Sequence, residues 1–267
     1  MKNKIGVATT TYANYNSKEA IEGISKAGFK YIELASIPMY FEHIPRPEVK
    51  VDKKITEIVL KDCREHGLEL HCISGLLRLM KEKGVENLKK IIDFAKLSEV
   101  KFITTDTGEV KDKNDEKKFY RDIEEIADYA KDNDVTVCLE ILGNWLNSGK
   151  IGAEIIKKIN HPNIKLNYDT ANVIFYGGIM PETDLLHALP YIGFIHLKDH
   201  GSGKIKDWNF PPLGDGIIDF KKIFKMIEKY NGPCCVEIEF DGSKHPLEEI
   251  NLAVLKSYDF LKKYEMV

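Results

Sequence analysis

Along the chain, short apolar runs rich in β-branched residues take turns with longer stretches whose apolar positions recur every three or four residues. The strand-like runs are KIGVATT (4–10), YIELAS (31–36), LELHCIS (68–74), KFITTDT (101–107), VTVCLEIL (135–142), IKLNYDT (164–170), YIGFIHLKD (191–199) and CCVEIEF (234–240). Between them the period lengthens. In DIEEIADYAKD (122–132), Ile123, Ile126, Ala127 and Ala130 share a helix face, as do Leu88, Ile91, Ile92 and Ala95 in VENLKKIIDFAKLSE (85–99). Asn16 followed by Glu19 has the spacing of a capping box that opens the first helix. Strands alternating with helices in this way predict an α/β fold, a (β/α)8 barrel, with residues 1–267 as one domain. A doubly wound open sheet is the alternative, but no glycine-rich phosphate turn follows the first strand.

Side chains of barrel strands alternate between the interior and the helix layer. On the sixth run Ile164, Leu166 and Tyr168 claim the helix side, which turns Lys165, Asn167 and Asp169 inward. The same alternation sends Glu33, Glu69, His71, Glu140, Phe194, His196, Lys198, Cys235, Glu237 and Glu239 inside. Barrel interiors are ordinarily filled by branched apolar side chains, and unpaired buried charge is costly. So many inward carboxylates imply a cation, a ligand or water. Glu140, Asp169, His196 and Glu239 come late in their runs, at the end where barrel active sites form. Three carboxylates and an imidazole converging there predict one divalent metal, Mn²⁺ first, with Mg²⁺, Zn²⁺ or Co²⁺ as alternatives. Lys198, nearer the mouth, is expected to meet a substrate oxygen.

Composition adds mainly exclusions. A formal net charge of −3 gives no reason to expect nucleic acid or an anionic membrane as partner. The apolar run IGVA after Lys2 and Lys4 is too short for a signal sequence, and no run is long enough to cross a membrane. Five cysteines, at 63, 72, 138, 234 and 235, include no CxxC pair and read as reduced, buried thiols, which suggests a cytoplasmic location.

The segments VCLEI, HPNIKLNYDTANV, FIHLKDH, PPLGDGIIDFKKIF and CVEIEFDG, in that order between about Val135 and Gly242, resemble the xylose-isomerase-like barrel family. That family includes sugar and sugar-phosphate isomerases and epimerases and the related apurinic-site endonucleases. The resemblance implies that Glu140, Asp169, His196 and Glu239 bind one divalent metal, with Glu140 and Glu239 also serving as the acid/base pair. Glu239 is preferred over Glu237 because it lies about 7 Å further along an extended strand and precedes the Phe-Asp-Gly turn; Glu237 is expected to pair with Lys165. The endonuclease branch would need a histidine where Asn172 stands and an Asp-x-His pair where the chain reads DWNFPPLG, so a three-zinc DNA-repair site is not expected.

The resulting expectation is a metal-dependent isomerase or epimerase that removes a proton α to a carbonyl and passes through an enediolate. A dehydratase or lyase acting on a keto-sugar or inosose is the alternative, and a non-catalytic sugar-binding barrel a weaker one. Lys198, His71 and Asn172 are candidate substrate contacts. Trp145 and Trp208 either stack on a sugar ring or pack within their loops. The segment HIPRP (43–47) suggests an ordered loop after the second strand, a candidate lid. No dedicated basic cluster for a phosphate stands out, which favours a free sugar or polyol, and a homodimer or tetramer is compatible with the resemblance.

Overall fold

The structure is a computed structural model that describes residues 4–37, 41–44, 53–75 and 79–267. The barrel strands are β1 (Ile5–Ala8), β2 (Tyr31–Ile37), β3 (Glu69–Ser74), β4 (Phe102–Thr105), β5 (Thr136–Glu140), β6 (Ile164–Asp169), β7 (Ile192–Leu197) and β8 (Cys234–Val236). Each is parallel to its neighbour, and β1 pairs with both β2 and β8, which closes the sheet into a (β/α)8 barrel. A two-residue strand, Phe41–Glu42, pairs antiparallel with the end of β2. The helices are α1 (Ser17–Ala27), α2 (Lys53–Glu65), α3 (Gly84–Leu97), α4 (Lys113–Asp132), α5 (Gly149–Ile159), α6 (Asn172–Gly177), α7 (Pro181–Ala188), α8 (Phe220–Met226) and α9 (Leu247–Lys263).

The helix starts follow the local chemistry of the sequence. Asn16 accepts from the Glu19 amide while the Glu19 side chain accepts from the Asn16 amide, so α1 opens on the expected capping box. Asp112 and Ser148 cap α4 and α5 with their side-chain oxygens alone, which accept first-turn amides. Parallel strands need both faces covered, and here the two coverings differ. Outside, Val137, Leu139, Leu166, Tyr168, Ile195 and Val236 face the helices in one continuous apolar layer.

The interior has two tiers. Ala8, Cys72, Cys138, Phe194 and Cys235 form a separate apolar cluster that is essentially inaccessible. Above it, toward the C-terminal ends of the strands, come Glu33, Glu140, Asp169, His196 and Glu237, all buried. The ionisable interior read from the sequence therefore holds for the upper tier, and the cysteines are the buried apolar fillers they were expected to be. Glu69 departs from its inward expectation: it lies at the bottom rim, more than half exposed, in a 2.9 Å ion pair with Lys4.

The last strand is shorter than its run of alternating residues suggests. The ladder stops at Val236, and the chain then leaves the wall. The Ile238 amide donates to Thr11 Oγ1, and Phe240 forms an isolated antiparallel bridge with Phe210. Among the described residues no helix is long and apolar enough to cross a membrane.

Candidate metal centre

Four buried side chains from four strands or strand ends converge in the upper tier. Glu140 ends β5, Asp169 ends β6, His196 is the penultimate residue of β7, and Glu237 follows β8 directly. One ligand atom from each lies within 4.8 Å of all the others. The imidazole Nδ1 of His196 sits 3.8 Å from Glu140 Oε1, 3.9 Å from Asp169 Oδ2 and 3.7 Å from Glu237 Oε2.

The supporting contacts orient this set. Asp169 Oδ1 accepts the Ala171 and Asn172 amides, at 2.8 Å each. Its other oxygen, Oδ2, is buried with no hydrogen-bond partner, and it is the atom that faces the cluster. Asn172 Nδ2 donates to Glu140 Oε1 at 3.0 Å. Thr10 Oγ1 donates to Glu237 Oε1 at 2.6 Å, and Lys198 Nζ donates to Glu237 Oε2 at 3.0 Å. Three oxygens and one nitrogen around a common point, one oxygen being an otherwise orphaned acceptor, fit a divalent cation of the Mn²⁺, Mg²⁺ or Zn²⁺ type.

Burial and neighbouring charge pull these groups apart electrostatically. Burial pushes Glu140 up to about 7, against the His196 ring that favours its charged form. Burial acts on Glu237 as well, but Lys198 and His196 outweigh it and carry the carboxyl down to about 2. Burial works against an imidazolium at His196, yet Glu33 and Glu237 hold its pKa well above the ordinary histidine value. The carboxyl of Asp169 is raised, chiefly by burial, with Lys198 opposing.

A model of the xylose isomerase-like TIM barrel family matches residues 21–264. The chain belongs to this family. Among its relatives, an L-ribulose 3-epimerase from Methylomonas sp. (strain DH-1) is 25% identical over 244 residues, which cover 83% of this chain and 78% of that protein. The L-ribulose-5-phosphate 3-epimerase UlaE of Salmonella heidelberg (strain SL476) is 27% identical over 252 residues, 88% of this chain and 85% of the enzyme. The crystal structure of the IOLI protein with a bound zinc atom has the same fold, with a TM-score of 0.77 at 20% identity over 99% of both chains.

Within this xylose isomerase-like barrel, Glu239 does not join the four converging residues. Because the strand has already ended, it turns toward the mouth, donates its backbone amide to Phe210 O, and forms a very short contact with Lys198 Nζ. Its side chain is 27% exposed, against 6% for Glu237. Glu237 in turn bonds Thr10 and Lys198, and the pair with Lys165 expected from the sequence does not form. The wall ends at Val236, so Glu237 is the first residue past its rim and Glu239 lies beyond the extended backbone.

The remaining candidates sort by tier. Lys198 is buried between Glu237 and Glu239, 4.0 Å from Asp169 Oδ2 and 4.3 Å from the centroid of the Phe210 ring. Burial disfavours its charge, but the three carboxylates raise its pKa well above the ordinary lysine value. Asn172 lies in the site and orients Glu140. His71 lies in the lower interior, bonded to Cys235 Sγ at 3.1 Å, stacked on Tyr31 and edge-on to Phe194. Trp145 packs against Phe119 and Tyr120 on the helix side, which is the loop-packing alternative. Trp208 is 44% exposed and touches Phe175 and Phe210, whose ring underlies Lys198, so it borders the mouth. In the candidate lid, His43 Nε2 lies 2.8 Å from Tyr15 O, and residues 45–47 lie outside the described residues.

Three residues of the site were not singled out as functional in the sequence. Glu33 contacts His196, and Thr10 contacts Glu237. Asp199 accepts four backbone amides, from His200, Gly214, Gly216 and Ile218, and so ties the PPLGDGIID loop beside the mouth. Only Glu33 carried a usable signal, an inward carboxylate in the middle of a strand.

Proposed function

We propose that this chain is a divalent-metal-dependent ketose epimerase or isomerase, acting on a free or phosphorylated sugar by proton transfer next to the carbonyl. The observation that carries the reading is the set of three buried carboxylate oxygens 3.7–3.9 Å from one imidazole nitrogen, with Asp169 Oδ2 accepting no hydrogen bond. The epimerase relatives support the sugar substrate. Glu140, Asp169, His196 and Glu237 hold the ion, with Mn²⁺ favoured by the oxygen-rich donor set.

A bound divalent ion supplies charge stabilisation for substrate oxygens beside the carbon that loses its proton. The protein supplies the rest. Glu140, at the end of β5 and oriented by the Asn172 side-chain amide, is the carboxylate placed to take the proton. Glu237 is too strongly held as a carboxylate by Lys198 and Thr10 to serve as a base, and its part is to hold the ion. Glu239, at the mouth and raised by burial, is placed to return a proton from the other side of the sugar. Lys198, linking Glu237 and Glu239, keeps positive charge where an enediolate oxygen would develop.

The test is to load the protein with Mn²⁺ and incubate it in D₂O with a panel of ketopentoses, ketohexoses and their phosphates. Deuterium appearing at the carbon next to the carbonyl, lost in Glu140→Gln, is the expected result. Elimination of water from the same panel would assign the dehydratase reading, and no exchange with any ketose would contradict the proposal.

A further inference from the structure

The ring of His196 has two nitrogens, and only one faces the other three converging residues. The opposite one, Nε2, lies 2.9 Å from Glu33 Oε2, and both side chains are essentially inaccessible. Glu33 comes from β2, three strands around the barrel from β7 by way of β1 and β8. It is held in turn by Thr104 Oγ1, which donates to Glu33 Oε1 at 2.6 Å, and by the thiol of Cys72, which donates to the same oxygen at 3.5 Å.

We infer that Glu33 is a positioning residue for the metal centre: it fixes His196 with the proton on Nε2 and the Nδ1 lone pair turned toward Glu140, Asp169 and Glu237. This rests on the proposed metal-dependent function and adds to it a residue outside the ligand set. The geometry at the two nitrogens differs. A carboxylate only accepts, so a hydrogen bond from Nε2 to Glu33 requires the proton on Nε2. Nδ1 is the nitrogen that faces Glu140, Asp169 and Glu237, at 3.7–3.9 Å, which leaves it as the one that can ligate an ion. A histidine that binds metal through one nitrogen characteristically has its tautomer fixed by such a bond at the other.

The carboxylate cannot be replaced by its amide without consequence. Among the described residues the hydrogen-bonding neighbours of Glu33 are donors: His196 on one oxygen, Thr104 and Cys72 on the other, and the Cys235 thiol. A glutamine must present its NH₂ to one side. Turned toward His196, it donates to Nε2 and moves the ring proton to Nδ1, where the ligand lone pair is needed. Turned toward Thr104, it forfeits the short bond that aims the side chain.

The experiment compares the full-length protein with Glu33→Gln and with Thr104→Val, which leaves the Glu33 carboxylate intact but removes its orienting donor. Titration calorimetry with Mn²⁺ and Zn²⁺ gives affinity, and ¹⁵N-histidine NMR of the Zn²⁺-loaded unsubstituted protein gives the ring state. The expected result is a metal affinity about 10- to 100-fold weaker in Glu33→Gln, with a smaller loss in Thr104→Val. The His196 spectrum should show a protonated Nε2 and an unprotonated Nδ1. Unchanged affinity in a folded Glu33→Gln protein, or a zinc-loaded His196 protonated on Nδ1, would overturn the inference while leaving the metal site standing. If Glu33→Gln fails to fold, the NMR result on the unsubstituted chain decides alone. Failure of the unsubstituted protein to bind either metal would overturn both this inference and the proposed function.

Discussion

The two tiers of the barrel interior are built from the same inward positions of the same strands, yet they obey opposite rules. In the lower tier Cys72, Cys138, Cys235 and Phe194 fill space, and burial pushes each of the three thiols up, which leaves them inert. In the upper tier Glu33, Glu140, Asp169, His196 and Glu237 are just as buried but ionisable, and they are kept folded by one another and by Lys198. A boundary so narrow teaches that the barrel spends its apolar material on holding shape below and leaves a compensated charge cluster above. His71 marks the crossing: its ring lies among Tyr31, Phe194 and Cys235, and burial lowers it to about 4, so it belongs to the neutral tier.

Substitutions should separate the tiers. The largest effect is expected from His196→Ala, which removes the only nitrogen of the cluster. Metal affinity measured by calorimetry should fall by more than about 100-fold, beyond what loss of an outer partner costs. Phe194→Ala should do the reverse in kind. Phe194 is fully buried, and its loss should cost about 3–5 kcal/mol in denaturant unfolding. A metal stoichiometry unchanged by that substitution would confirm the separation, and a destabilisation under about 1 kcal/mol would break it.

The pH response of the upper tier sharpens the contrast. The folded pKa of Glu140, about 7, lies above its ordinary value of 4.5. Its contribution to the stability of the metal-free protein is therefore fully present below about 4.5 and lost as pH rises through about 7. A cation must displace that proton, so metal affinity should rise between pH 6 and pH 8 with net proton release, and Glu140→Gln should abolish the part of the release that belongs to this group. Affinity that is flat over this range would contradict the assignment. The smallest effect is expected at the rim. Trp208→Ala should raise KM a few-fold with little change in kcat, a loss of about 1 kcal/mol of aromatic contact. Trp145→Phe, on the helix side, should leave both constants unchanged.

Much of this was legible in the chain. The alternation of apolar positions specified the barrel, and the late strand positions of Glu140, Asp169 and His196 brought three of the four converging side chains together correctly. Lys198, expected nearer the mouth, lies between Glu237 and Glu239, and Asn172, a candidate substrate contact, lies against Glu140. The fourth residue was misplaced for a local reason: CCVEIEF reads as one strand, but after the Glu237 amide, which still donates to Leu197 of β7, the next two amides turn to Thr11 and Phe210. Nothing in the alternation itself announces that end. The roles of Thr10, Thr104 and Asp199 were illegible for a different reason, since each is defined by a contact between strands or loops far apart in sequence. His71 shows the limit of the inward/outward rule, which gives the face of a residue but not its height in the barrel.

The most direct test of the account is metal content by elemental analysis of the purified protein, of Glu237→Gln and of Glu239→Gln, each loaded with Mn²⁺ and dialysed. The account predicts close to one divalent ion per chain in the unsubstituted protein and in Glu239→Gln, and loss of the ion in Glu237→Gln. Retention in Glu237→Gln with loss in Glu239→Gln, or an unsubstituted protein that holds no metal, would contradict it.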